Sequence, residues 1–238
     1  MFHPLDQLRA GSLFILTGAP GAGKSHLAAS ARRSGTIWLL DTEGAAQHLL
    51  GKPGIHAAIQ VVQTLSLKQL LQALAEVKRH GQPGDVVVLD SISKVLQAMR
   101  AHAQQRAGGD TERKAQLSYD EHASINRNMQ RIYTGLTELK HAGFQIILIG
   151  HLAKQYQTSG SALRDVGLRV LADEAISYEA DAVLLVERSG TERTVTPIIK
   201  PPRPAHLQLD QCYPATVSLF DPAQAEDISA RLTRPGRS

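Results

Sequence analysis

Ser12-Leu-Phe-Ile-Leu-Thr17 runs directly into Gly18-Ala19-Pro20-Gly21-Ala22-Gly23-Lys24-Ser25, and this stretch decides how the rest of the chain is read. The apolar run has the length and character of a buried strand. The eight residues after it match the phosphate-loop pattern Gly-x4-Gly-Lys-Ser in full. Glycines at 18, 21 and 23 let backbone N–H groups turn inward around phosphate oxygens, and the helix expected next adds its positive dipole end. Lys24 is placed to reach the β- and γ-phosphates, and the Ser25 hydroxyl to ligate Mg2+. A Gly/Ala-rich turn matching by chance would lack the strand before it and the helix after it. The expected ligand is therefore ATP with Mg2+.

Moving outward, short apolar runs alternate with helical patterns. Runs at 36–40, 59–62, 86–89 and 144–149 read as strands, and 182–187 and 194–200 as late strands that pair with each other. Helices are expected at 26–33, 67–80, 92–100 and 126–141; the second carries Leu67, Leu70, Leu71, Leu74 and Val77 at amphipathic spacing. The polar segments 101–118 and 152–172 read as loops. Uninterrupted apolar strands separated by helices imply an α/β fold, a mostly parallel central sheet with helices on both faces. Ligands bind such sheets beyond the carboxyl ends of the strands, so the residues just past each strand carry the chemistry.

Val86-Val-Val-Leu-Asp90-Ser91 delivers a carboxylate to such an end. Asp90 is the candidate second metal group, holding a Mg2+-bound water; the alternative is a cap on the next helix. The residue after it is Ser, where many ATPases carry a catalytic Glu, so the base must sit elsewhere. Thr36-Ile-Trp-Leu-Leu-Asp41-Thr42-Glu43 supplies one. Glu43 is the candidate general base for the water attacking the γ-phosphate, the alternative being a solvated loop acid. Asp41 is a second acid considered for a direct role.

A phosphate loop, a strand ending Asp-Thr-Glu and a strand ending Asp-Ser follow one another as in RecA-like recombinases. The likeness covers roughly residues 4 to 203 and resembles most the trimmed, single-domain RecA-like ATPases of phages and prophages, which are AAA-type ATP-binding proteins. The polar composition of 223–238 reads as a flexible tail, and the likeness implies a RecA-like P-loop NTPase core, taken over 1–222. In Gly143-Phe-Gln-Ile-Ile-Leu-Ile-Gly150-His151 it makes His151 the γ-phosphate sensor, where a packed histidine is the plain alternative. In Thr194-Val-Thr-Pro-Ile-Ile-Lys200-Pro-Pro-Arg203 it makes Lys200 and Arg203 candidates for acting on a neighbouring subunit's nucleotide, and so implies a homo-oligomer, ring or filament.

The same resemblance places single-stranded DNA against the two polar segments. The candidate contacts are Arg106, Arg113 and Lys114 in the first, and Lys154, Tyr156, Arg164 and Arg169 in the second. Scattered positive charge suits backbone contacts without base reading, and Tyr156 suits stacking on a base. The implied activity is ATP hydrolysis coupled to DNA in recombination, annealing or repair. Two other readings stay open: a small-molecule kinase, favoured by the Pro in the phosphate loop, and a motor or loader ATPase working through protein partners.

Composition narrows the setting. Of 238 residues, 42% are hydrophobic and 20% charged, which excludes wholesale disorder, and the net charge of +4 is too small to establish nucleic-acid binding. Aromatics are only 4%, so the core must be aliphatic. No apolar run approaches the ~18 residues of a membrane span. With one cysteine and no signal-like opening, a reducing, cytoplasmic location is expected.

Overall fold

Strand β1 (Leu13–Thr17), the apolar run before the phosphate loop, lies in the middle of an eight-stranded sheet. With β2 (Thr36–Asp41), β3 (Ala58–Gln63), β4 (Val86–Asp90), β5 (Gln145–Ile149), β8 (Ala182–Ser189), β9 (Glu192–Ile198) and β10 (Tyr213–Pro214), the order is β10-β9-β8-β1-β5-β4-β2-β3. The structure is a computed structural model. It describes residues 11–220 apart from 33–34, 56, 107–116, 160–161, 172–173 and 217–218, and only the backbone of 154–169 and 174–175. The tail expected at 223–238 lies outside the described residues.

Every pairing from β3 across to β8 is parallel; only β8–β9 and β9–β10 are antiparallel. Alternation within β1 shows why both faces need cover. Leu13 and Ile15 enter one core with α2 (Leu67–His80), α3 (Ile92–Arg106), α4 (Tyr119–His141) and α5 (Glu174–Glu179), while Phe14 and Leu16 enter the other with α1 (Lys24–Ala29). That second face is completed by the C-terminal segment, where Leu207, Tyr213, Leu219 and Phe220 are buried and Phe14 meets Phe220 edge-on at 5.3 Å. The expected mostly parallel α/β sheet with helices on both faces is therefore what the chain forms.

Two long helices and one expected loop depart from the sequence expectation in their polar segments. Helix α3 continues to Arg106, beyond the expected 100, and α4 begins at Tyr119, two turns earlier than 126. A capping box starts α4: Ser118 Oγ accepts from the Glu121 N–H, and the Glu121 carboxylate accepts from the Ser118 N–H at 2.7 Å. The third difference is the expected loop at 152–172. It is an antiparallel hairpin of β6 (Leu152–Ser159) and β7 (Ala162–Val170), with a bulge at Gln155/Tyr156.

Two acids pin the amino-terminal edge of the sheet. Asp85 accepts from the Thr36 and Gln82 N–H groups and from the Trp38 indole. Asp181 accepts from the Leu13 N–H, Lys140 and Arg203, tying α4 and the segment after β9 to the start of β1. Burial pushes the Asp181 carboxyl up, but its hydrogen bonds to Lys140, the Leu13 amide and Arg203 hold it below the usual range. A carboxylate lowered in this way stabilises the fold above its unfolded pKa of about 4, and loses that contribution as pH falls through the still lower folded value. Asp181→Ala is expected to cost roughly 3 kcal/mol at pH 7, measured by urea denaturation. The gap to wild type should close as pH drops below about 4.

Candidate active site

The parallel register sets the site. Asp41 of β2 stands beside Asp90 of β4, Asp90 beside Ile149 of β5, and Ile149 beside Leu16 of β1. The phosphate loop, Glu43, Asp90 and His151 therefore leave the sheet side by side at its carboxyl edge. Four segments widely separated in sequence meet there because apolar strands of matching length end in register.

The loop turns where glycine permits. Gly18 has φ +140°, and a Cβ there would lie 2.2 Å from the Val186 carbonyl oxygen, so no other residue lets β8 pass this close. Helix α1 starts at Lys24 and ends at Ala29, shorter than the expected 26–33. Lys24 Nζ bridges the loop, donating to the carbonyls of Gly18 (3.0 Å) and Ala19 (2.9 Å). Burial lowers its pKa, opposed by the nearby charges of Asp90 and Glu43.

Asp90 is buried and hydrogen-bonded to Ser25. Burial pushes its carboxyl up to about 6, with Glu43 and Asp41 adding to the rise, against lowering by the Ser25 hydrogen bond and by Lys24. A buried carboxylate short of positive charge, next to a serine hydroxyl, is an all-oxygen donor pair that suits a hard divalent cation such as Mg2+. Among the described residues no group of three or more His, Cys, Asp or Glu is placed to hold a metal. Phosphate and water oxygens would complete a Mg2+ shell here, as this ion prefers.

Glu43 is fixed through one oxygen. Oε1 accepts from Ser91 Oγ at 2.7 Å and lies 3.3 Å from His151 Nε2, while Oε2 makes no hydrogen bond among the described residues. Ser91, which the sequence marked only as the place where a Glu is missing, thus orients the acid that replaces it. Its N–H donates to Thr42 Oγ1 at 2.8 Å, and Thr42 Oγ1 lies 3.0 Å from the Asp90 carbonyl, locking the ends of β2 and β4 together. Asp41 is not free for chemistry. Its carboxylate accepts from the N–H groups of Glu43, Gly44 and Ala46 and shapes the turn that presents Glu43.

His151 joins this cluster and leads out of it. Its N–H donates to Ser93 Oγ (2.8 Å), Ser93 Oγ donates to the Leu171 carbonyl (2.6 Å), and the Leu171 N–H returns to the His151 carbonyl (2.7 Å). The base of the β6–β7 hairpin is thereby fastened to the site. Ser93 did not stand out in the sequence, and Ser91 did so only as the neighbour of Asp90, with no orienting role for its hydroxyl, because a single serine carries no pattern of its own.

A family model described as AAA domain matches residues 11–206. The chain belongs to the AAA domain family. It is a P-loop ATPase of AAA type. No curated protein matches. Among solved structures, a prototypical ATPase from the type III secretion system of pathogenic bacteria aligns at 14% identity and a TM-score of 0.45, over 75% of this chain and 53% of that one. The present chain thus spans about half the length of that solved chain.

The remaining candidates lie outside this row. Lys200 and Arg203 sit at the opposite edge of the sheet: Lys200 Nζ donates to the Tyr178 carbonyl at 2.7 Å, and Arg203 pairs with Asp181 at 2.9 Å. They are about four strand residues, roughly 13 Å, from the level of their own phosphate loop. Arg106 ends α3 and lines a cavity of about 820 Å3 with Leu65, Ser66, Met99, Asp120 and Glu121. Arg113 and Lys114 lie outside the described residues. Lys154, Tyr156, Arg164 and Arg169 fall on the hairpin backbone, Tyr156 opposite Asp165 and Arg169 opposite Ala153.

A carboxyl whose folded pKa lies above its unfolded value favours folding at low pH and gives that up as pH rises through the folded value. Asp90→Asn is therefore expected to stabilise the nucleotide- and metal-free protein by roughly 2–3 kcal/mol at pH 7.5. The gain should shrink as pH falls through about 6 and vanish only below about pH 4. Calorimetric melting at the two pH values measures it.

Proposed function

We propose that this chain binds and hydrolyses Mg-ATP and couples the nucleotide state to single-stranded DNA, serving recombination, annealing or repair as a homo-oligomer. The observation that carries the reading is the Glu43 carboxylate, held by Ser91 and His151 beside Lys24 and Asp90 with its second oxygen left over. The loop 18–25 binds phosphate, with Lys24 as its cation. Ser25 and Asp90 hold the metal, which neutralises phosphate charge when bound. Glu43 Oε2 takes a proton from the attacking water. Most of the acceleration comes from positioning and charge.

His151 serves as sensor because it touches Glu43 on one side and, through Ser93 and Leu171, the hairpin on the other. A change at the γ-phosphate that moves Glu43 or His151 pulls on the base of β6–β7. Lys154, Tyr156, Arg164 and Arg169 on that hairpin, with Arg106, Arg113 and Lys114 near the α3–α4 connection, are the proposed DNA contacts. Lys200 and Arg203 reach a phosphate loop only in a second copy, since their own lies at the far edge of the sheet. No helix among the described residues is long and apolar enough to cross a membrane.

Lys24→Ala is expected to abolish ATP binding in calorimetric titration. Glu43→Gln should bind ATP within about threefold of wild type while its turnover falls by roughly 10²–10⁴; turnover at the wild-type rate would remove Glu43 from the mechanism. For DNA, labelled single strands should be retained on filters more strongly with ATP than without, and retention should fall steeply with salt. No retention at low salt in either state would sink the DNA reading and leave the partner-driven ATPase.

A further inference from the structure

Among the described residues, two buried side-chain polar atoms find no hydrogen-bond partner, Thr17 Oγ1 and Arg193 Nε. Thr17 is the last residue before the phosphate loop, and Arg193 lies against the loop from a different part of the chain. A Cβ built on Gly23, which has φ +91°, would fall 2.4–2.6 Å from Arg193 Nη2, Cζ and Nε. The guanidinium thus rests directly on the residue preceding Lys24, and only a glycine at 23 lets it do so.

Its surroundings are unusual for a structural arginine. It makes no ion pair with a described carboxylate. In the β8–β9 hairpin it stands directly opposite Arg188, whose own Nε is turned away to the Gly190 carbonyl. Like charges facing across strands cost stability. Burial, and then Arg188, lower the Arg193 pKa, so this cation lacks compensation.

It is nevertheless held in one orientation. Arg193 Nη1 lies 3.1 Å from His26 Nδ1, and His26 Nε2 lies 2.7 Å from the Pro53 carbonyl. A carbonyl only accepts, so the His26 proton sits on Nε2 and Nδ1 takes the Arg193 N–H. An aimed, half-buried cation with a spare N–H and no carboxylate calls for an anion.

We infer that Arg193 is a second cation of the phosphate loop, supplied by the β8–β9 hairpin, that binds a phosphate group of the nucleotide. It does so from the same chain, unlike Lys200 and Arg203. The inference rests on the reading of residues 18–25 as the ATP site.

Calorimetric titration of ATP with Mg2+ at two salt concentrations, together with melting of the nucleotide-free proteins, tests it. Arg193→Ala is expected to weaken ATP roughly tenfold or more and to flatten the salt dependence. Arg193→Lys should recover part of the affinity. The nucleotide-free Arg193→Ala protein should melt no lower than wild type, because the Arg188 repulsion is relieved. His26→Ala should weaken ATP in the same direction, and the double variant should be no worse than Arg193→Ala alone. Wild-type ATP affinity in Arg193→Ala overturns the inference, as does a lowered melting point with unchanged affinity, which marks a purely structural clamp. Failure of the wild-type protein itself to bind ATP overturns the reading of the loop, and the inference with it.

Discussion

The site depends on one row of the sheet, in which Asp41, Asp90, Ile149 and Leu16 stand abreast. Parallel strands buried on both faces admit no charge along their length, so carboxylates are confined to the ends, where backbone and hydroxyl groups take over from apolar packing. A slip of one residue in any pairing would exchange the two cores, putting Ile15 where Phe14 belongs. Hydrophobic packing therefore fixes the chemistry with a precision that the loops alone lack. The burial that aligns Asp90 is also what makes its ionisation costly.

Around that row the side chains divide into those left open at the carboxyl edge of the sheet and those that hold them in place. Asp41 shapes a turn, Thr42 joins two strand ends, and Ser91 aims Glu43. Ser93 fastens His151 to the hairpin. At the other edge, Asp85 and Asp181 gather strand starts in the same manner. Acids of one chemical type thus perform opposite tasks according to which end of a strand they occupy.

The strands and the phosphate loop were readable because a fully buried strand is a continuous apolar run, and the loop motif is a fixed spacing of glycines and lysine. The polar ends of α3 and α4 were not, since their residues face solvent and lack the apolar stripe that signals a helix, although Ser118-x-x-Glu121 was a cap signal in plain sight. The hairpin at 152–170 reads as a loop because its composition is polar without clear alternation. Arg193 could not be found in advance. Its meaning comes from contact with Gly23 and His26, some 170 positions away, and only the β8–β9 pairing brings them together.

The central position of β1 has a consequence for how the chain is made. Its neighbours are β5 and β8, so Leu13 waits for Ile146 and Phe14 for Ala182. During synthesis the first strand emerges with neither partner yet translated, and the second core stays open until Leu219 and Phe220 arrive. Few early contacts are local enough to protect it. The nascent chain therefore carries an aliphatic strand and a glycine-rich loop without sheet partners until residues 146–149 and then 182–185 have emerged, and an unpaired apolar strand is exposed to association with other chains over that interval.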